Sequence, residues 1–221
     1  MPDAALSLHT LTCPACRRTV TQSLPPVLNA ALHPAERERI LNHSFFTVSC
    51  PHCGESWEIL YNLLYCDPLR RFMIALQPDT KMPFPSVSHM DIPTPEQLRV
   101  VHDAEDLAEK IQQMEDPVDD RLIETAKYLF YLKIRNALPP GSLMGMPVFH
   151  RGPEGPVISL PMEIKGKGYA MGTDRLTPER LQELDRLYHP LISAELPGGF
   201  REIGRDYARR LVEFCRRNQT G

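Results

Sequence analysis

The sequence predicts an α+β fold, with a small antiparallel β meander near the N-terminal end and an α+β body after it. Two Cys-Pro-x-Cys turns, at 13–16 and 50–53, each follow a stretch that is typical of a strand. Apolar residues recur at helical spacing in 104–137 and again toward the C-terminal end. Between these, residues 143–173 alternate with the period of two that indicates a small antiparallel sheet.

The first region, residues 1–81, is predicted to be a ribbon of short strands. Leu6–Thr12 alternates apolar and polar side chains, and three later strands are predicted at Ser44–Cys50, Ser56–Tyr65 and Arg70–Gln77. A helical insert is predicted between the cysteine turns, at 25–43. Its second half opens with proline and carries an acidic residue in the first turn, as helices do.

The proline-rich stretch 82–97 is predicted to be a linker, because proline removes hydrogen-bond donors and favours extended chain. Region 98–221 then forms the α+β body. A strand at 98–102 precedes a helix at Ala104–Glu115, and Asp116-Pro117 indicates the start of the next helix, which Pro139 ends. Thr177-Pro178 opens a further helix, and the last helix carries an apolar stripe from Phe200 to Phe214.

Four of the six cysteines lie in the two turns, as Cys13, Cys16, Cys50 and Cys53. Two thiols three positions apart on a tight turn can point at one atom, and two such turns offer the four thiolates that a structural zinc ion prefers. A redox pair and disulfides are the alternatives. A redox CxxC sits once, in a βαβ unit, and disulfides need an oxidising compartment. A single structural zinc ion is therefore predicted.

Charge and hydropathy restrict the class of partner. Residues 1–81 carry seven Lys/Arg and seven Asp/Glu, whereas residues 82–127 carry four and eleven, and residues 128–221 carry fourteen and ten. A nucleic-acid-binding module would be expected to have a basic face around its cysteine turns. No run of about 18 apolar residues occurs, so no membrane span is predicted. The start of the chain lacks the pattern of a signal peptide, so a cytoplasmic location is expected.

The sequence resembles the CpXC-domain proteins of bacteria and archaea. The resemblance is carried by Cys13-Pro14-x-Cys16, by Cys50-Pro51-x-Cys53-Gly54 and by the Leu-Leu-Tyr-x-Asp stretch at 63–67. Asp119-Asp120, with Ile123, Glu124 and Lys127, is similar to the downstream helices of that family. The resemblance covers residues 8–136 and implies the metal site and the fold, but no particular activity.

Three functions are consistent with these features. The first is a non-enzymatic interaction or adaptor protein with a structural zinc site and a protein partner. The second is a transcription-related zinc ribbon that binds nucleic acid through Arg17-Arg18 and Arg70-Arg71. The third is a metal-dependent or thiol enzyme that uses Cys66, His52 or His9. No nucleophile–base, paired-carboxylate or phosphate-loop motif favours the third hypothesis.

Overall fold

A computed structural model describes residues 7–81, 97–195 and 199–219. It confirms the α+β class. The chain divides into two compact units, Met1–Lys110 with Gly198–Arg201, and Ile111–Pro197 with Glu202–Gly221. The predicted linker, 82–97, lies outside the described residues except for Gln97. The domain boundaries inferred from the sequence stay a prediction.

The first unit contains two antiparallel hairpins, one for each cysteine turn. Strand β1 (Ser7–Thr12) pairs with β2 (Thr19–Leu24), and the first turn joins them. Strand β4 (Thr47–Ser49) pairs with β5 (Ser56–Glu58) around the second turn. These hairpins confirm the strands predicted on the N-terminal side of each turn.

The first unit also contains a separate mixed sheet, which was not predicted. Its strands lie in the order β3-β6-β7-β8. They span Val27–Asn29, Leu63–Asp67, Phe72–Leu76 and Gln97–Val101. The outer pairs, β3–β6 and β7–β8, are parallel, and only the central pair is antiparallel. Every residue of β6 and β7 is buried, as expected for continuous apolar strands that are covered on both faces.

Two sequence predictions about this unit need correction. The single strand predicted from Ser56 to Tyr65 is two strands, Ser56–Glu58 and Leu63–Asp67. The Ile59 N–H still donates to the Phe46 carbonyl, in register with the β4–β5 ladder, and the chain joins the mixed sheet only at Leu63. The insert at 25–43 is helical only in its second half. Helix α1 covers Pro34–Leu41 and buries Ile40, whereas β3 occupies the first half.

The second unit places helices on one face of a four-stranded sheet. Helix α2 spans Ala104–Glu115, as predicted, and its last residues enter this unit. The other helices are α3 (Asp120–Ala137), α4 (Pro178–Ser193) and α5 (Arg205–Gln219). The sheet consists of β9 (Leu143–Met144), β10 (Val148–Gly152), β11 (Gly155–Ile164) and β12 (Gly168–Arg175). The core lies between them, with Phe149, Ile158 and Leu160 from the sheet against Ile123 and Phe130 of α3.

The ends of two helices differ from the sequence prediction. Asp119, and not Asp116, caps α3, because its side chain accepts a hydrogen bond from the Arg121 N–H. Helix α5 begins only at Arg205, so Phe200 precedes it, and Phe214 is 53% exposed. The buried stripe of α5 consists of Tyr207, Ala208, Leu211, Val212 and Cys215.

Candidate metal centre

The two cysteine turns have the same backbone hydrogen bonds. In the first turn the Cys13 N–H donates to the Arg18 carbonyl, and the Arg17 N–H donates to the Cys13 carbonyl. The second turn has the same two bonds: the Cys50 N–H donates to the Glu55 carbonyl, and the Gly54 N–H donates to the Cys50 carbonyl. The two turns therefore present their sulfurs in equivalent positions at the ends of two hairpins.

The fourth residue after the first cysteine is left-handed in both turns. Gly54 has a φ of 78°, a conformation that glycine adopts without strain. Arg17 has a φ of 61°, a conformation that is uncommon for a residue with a side chain. The strain at Arg17 was not predicted, and the sequence signal for it is the alignment of the two Cys-Pro-x-Cys motifs, which places Arg17 opposite Gly54.

The four sulfurs of the turns lie together. Every pair of Sγ atoms among Cys13, Cys16, Cys50 and Cys53 is within 4.8 Å. The closest contacts cross between the turns, at 3.7 Å for Cys13–Cys53 and 3.7 Å for Cys16–Cys50. These separations are too long for disulfide bonds, and all four cysteines are free thiols.

This arrangement fits a tetrahedral metal ion. A zinc ion bound to thiolates at about 2.3 Å requires the sulfurs to lie roughly 3.8 Å apart along each edge of the tetrahedron. The observed contacts of 3.7 Å match that edge. The four-cysteine group could therefore hold a metal ion, with one side chain for each of four positions.

Burial differs between the four cysteines. Cys13 and Cys50 are buried, Cys16 is half-buried and Cys53 is exposed. Val20 and Trp57, the second residues of β2 and β5, pack against the sulfurs. Apolar side chains thus cover the first cysteine of each turn, whereas Cys53 is exposed to solvent.

In the metal-free chain the thiols of the second turn differ in acidity. Burial alone would raise the pKa of Cys50, but hydrogen bonds from the His52 and Cys53 backbone and from the neighbouring thiols lower that pKa to about 7. For Cys53, a backbone hydrogen bond from Glu55 acts to lower the pKa. Desolvation and the three nearby sulfurs outweigh it and raise the pKa to about 12. Of these two thiols, Cys50 therefore has the lower pKa.

The remaining cysteines lie outside the cluster. Cys66 is buried in β6, where burial raises its pKa to about 12. It packs with Leu64, Met73 and Ala75 on one face of the mixed sheet. Cys215 is buried in the core of the second unit. Both thiols therefore pack as small apolar side chains.

The four arginines predicted as nucleic-acid contacts, Arg17, Arg18, Arg70 and Arg71, are exposed. Arg70 also forms an ion pair within the protein. The Arg70 guanidinium donates to the carboxylate of Asp67 at 2.8 Å. The Asp67 carboxylate also accepts from the backbone N–H groups of Leu69 and Arg70, both at 3.0 Å. Arg70 is therefore part of the β6–β7 turn, and its charge is balanced within the turn.

The fold and the two cysteine turns define the class of the protein: an α+β protein with a four-cysteine cluster. The CpXC protein family model matches residues 11–127, slightly more than half of the sequence. The chain therefore belongs to the CpXC protein family. Comparison with curated proteins and with solved structures gave no match. Within the described residues, no helix is long and apolar enough to cross a membrane.

Proposed function

We propose that Cys13, Cys16, Cys50 and Cys53 bind one structural zinc ion. The 3.7 Å contacts between sulfurs of different turns carry this proposal, because they match a tetrahedral thiolate shell. Zinc suits such a shell since it accepts four thiolates and has no redox chemistry of its own. Bound zinc would hold the ends of the two hairpins together, where the small strands have little core. Four protein ligands leave no open position for a catalytic water.

Elemental analysis of the purified chain tests the zinc site. We expect about one zinc ion per chain, and we expect Cys13→Ser, Cys16→Ser, Cys50→Ser and Cys53→Ser each to lose it. The matched control is Cys66→Ser, which should keep the metal, because Cys66 lies on the mixed sheet. Cobalt substitution should give the absorption bands of a tetrahedral thiolate site. Equal metal loss in Cys66→Ser would contradict the assignment of the ligands.

We further propose that the protein is a non-enzymatic interaction or adaptor module, working in the cytoplasm, where reducing conditions keep the thiols available for metal. The β6–β7 turn supports this role. Leu69 is 79% exposed at its tip, and the hydrogen bonds that the Asp67 carboxylate accepts from the Leu69 and Arg70 N–H groups fix the turn. A rigid turn loses little conformational freedom on binding, which favours insertion of its exposed leucine into an apolar pocket of a protein partner.

A comparison of two variants tests the adaptor role. We expect the zinc-loaded chain to capture specific proteins from extracts of its own cells, and Leu69→Glu to lose them. Leu32→Glu is the control, because Leu32 is also exposed but lies outside this turn. Binding to duplex DNA or RNA that falls steeply with salt, and is lost on substituting Arg17 and Arg18, would instead favour the nucleic-acid hypothesis. Equal capture by both leucine variants would reject the turn as the contact.

A further inference from the structure

The sheet of the second unit has one face covered by helices and one open face. Phe149, Ile158 and Leu160 point into the core, where they pack with residues of α3, α4 and α5. Residues alternate between the two faces along a strand, and residues paired across an antiparallel ladder share a face. The register therefore gives four rows of outward side chains: Leu143, Glu163 and Tyr169; Pro161 and Met171; Val148, Ser159 and Thr173; and His150, Val157 and Arg175.

Apolar side chains dominate the first three rows of the open face. An antiparallel sheet with one solvated face normally places polar side chains on that face. Here Tyr169 is 88% exposed and Met171 is 60% exposed. We use the name open-face patch for the exposed apolar side chains of these rows, which are Leu143, Val148, Pro161, Tyr169 and Met171. A contiguous exposed patch of this kind marks an interaction site.

The composition of the open-face patch favours a protein partner over a nucleic acid. Tyrosine and methionine are enriched in protein interfaces, whereas charged side chains are depleted at their centres. Nucleobases stack on aromatic side chains, and Tyr169 is the only aromatic residue of the patch. Glu163, the one charged residue within the three apolar rows, would also repel a phosphate backbone. The patch therefore fits an apolar protein surface better than a row of bases.

The charges at the two ends of the patch differ. Lys165 and Lys167 are exposed in the turn between β11 and β12, next to the row that contains Glu163. Within the part of the chain that the structure describes, neither lysine forms an ion pair. Two lysines against one glutamate leave a net positive charge at this end. At the other end, Arg175 is already paired with Glu154. A complementary partner therefore carries acidic groups beside the lysines.

The size of the patch matches one α-helix. Its rows extend over three strands, about 10 Å across, and the first and third rows are about 13 Å apart along the strands. An α-helix with its side chains is about 10–12 Å wide, and two of its turns rise about 11 Å. A single amphipathic helix is therefore wide and long enough to cover the patch, as helices of this chain cover the opposite face.

We propose that the open-face patch docks an amphipathic helix of a protein partner, with acidic residues at the helix end beside Lys165 and Lys167. The apolar stripe of that helix packs on Tyr169 and Met171, and its carboxylates pair with the two lysines. This surface lies on the second unit, whereas Leu69 lies on the first. The proposal thus goes beyond the contact proposed at Leu69 and holds whether or not that turn binds a partner.

Calorimetric titration of the full chain with two synthetic helical peptides tests this surface. Both peptides carry the same leucine stripe, and one has glutamates where the other has lysines, at one end. We expect the glutamate peptide to bind, and the double variant Tyr169→Ser with Met171→Ser to weaken it about tenfold or more. Phe214→Ser is the matched control, because Phe214 is 53% exposed on α5, away from this face, and should bind like the wild type. Circular dichroism establishes that the variants are folded.

A charge exchange provides a second test that leaves the apolar side chains in place. The wild type should prefer the glutamate peptide, and the double variant Lys165→Glu with Lys167→Glu should prefer the lysine peptide. Leu69→Glu should bind both peptides like the wild type, which separates this surface from the β6–β7 turn.

Several results would overturn the proposal. One is a wild-type chain that binds neither peptide or binds both equally. Another is equal affinity of the Tyr169/Met171 double variant and Phe214→Ser for the glutamate peptide. Binding of single-stranded RNA that the double serine variant loses would assign the patch to nucleic acid instead. Self-association of the wild type that this variant abolishes would assign the patch to a second copy of the chain.

Discussion

Arg17 and Gly54 occupy the same position in the two cysteine turns, four residues after the first cysteine. Both have positive φ, and both donate their N–H to the carbonyl of that cysteine. Glycine adopts this conformation without strain, whereas for a residue with a Cβ atom the left-handed backbone lowers the free energy of unfolding by about 1–2 kcal/mol. The first turn therefore carries a local strain that the second turn avoids.

Substitutions at these two positions should change the free energy of unfolding in opposite directions. Gly54→Ala should destabilise the first unit by about 1 kcal/mol, because its backbone is left-handed although no atom lies within 4 Å of the added Cβ. Arg17→Gly should instead stabilise it by up to about 1 kcal/mol. Trp57, the only tryptophan, packs on the cluster, so its fluorescence during urea unfolding measures both changes. Two changes of the same sign would contradict this account.

The buried Cys66 thiol should make stability depend on alkaline pH. Its pKa is raised by burial from 9.0 to about 12, so the unfolded chain releases this proton at lower pH than the folded chain. The stability that the neutral thiol contributes is complete below about pH 9 and is lost as the pH rises toward about 12, by up to about 1.4 kcal/mol per pH unit. The stability difference between wild type and Cys66→Ala should therefore shrink between pH 8 and pH 10.5 in urea titrations.

Tyr61 titrates in an overlapping range, because burial also raises its pKa. Tyr61→Phe is thus the control, and in that background the effect of Cys66→Ala on the pH dependence should persist. A constant difference between wild type and Cys66→Ala across this range would show that the thiol is not buried in solution.

The ligand residues could be read from the sequence, but their environment could not. The spacing of Cys13, Cys16, Cys50 and Cys53 alone predicts that their sulfurs converge. The strain at Arg17 depends on one backbone angle, and a residue's identity says little about that angle outside glycine and proline. Likewise, the packing of Trp57 against the sulfurs depends on the pairing of β4 with β5, which a local pattern does not specify.

At the scale of elements, Asp67 fixes the β6–β7 turn. Its carboxylate is 2% exposed and accepts hydrogen bonds from two backbone N–H groups and from the Arg70 guanidinium. Removing a buried acceptor leaves its donors without partners at a cost of about 1–3 kcal/mol. Asp67→Ala should therefore lower the free energy of unfolding of this unit by that amount.

Asp67→Asn is the matched variant for the turn. Its side-chain oxygen can still accept from the Leu69 and Arg70 N–H groups, and only the charge opposite Arg70 is lost. We expect its loss of stability in urea titrations to be clearly smaller than that of Asp67→Ala. Equal losses would mean that the ion pair with Arg70, and not the backbone hydrogen bonds, stabilises the turn.

The helices were easier to predict than the sheets. Leu107 and Ile111 of α2 are spaced for one face, both are fully buried, and the helix begins and ends where the sequence indicated. The mixed sheet escaped prediction because β3 and β6 are parallel and lie on either side of the second cysteine turn. Parallel partners need a long connection, so no local turn signal indicates which strands pair.

At the scale of the whole molecule, removing the metal should affect the two units differently. The hairpins β1–β2 and β4–β5 depend on the proposed zinc ion, whereas the second unit has its own apolar core. We expect a chelator to speed amide hydrogen exchange in these hairpins and to leave exchange in β10, β11 and α4 unchanged. The same experiment on Cys13→Ser, without chelator, should show the same pattern. Equal loss of protection in β11 would contradict the independence of its core.

The two cysteine turns lie far apart along the chain, so a metal that joins them would restrict the unfolded protein. A metal held by both cysteine turns would close residues 17–49 into a ring that contains β2, β3, α1 and β4. A ring has far fewer open conformations than a free segment, so closing it removes chain entropy before folding is complete. Strand β3 lies inside the ring, and β6, its partner, begins ten residues after Cys53. A metal bound at this stage would shorten the search for this non-local strand pair, as a crosslink does in a polymer.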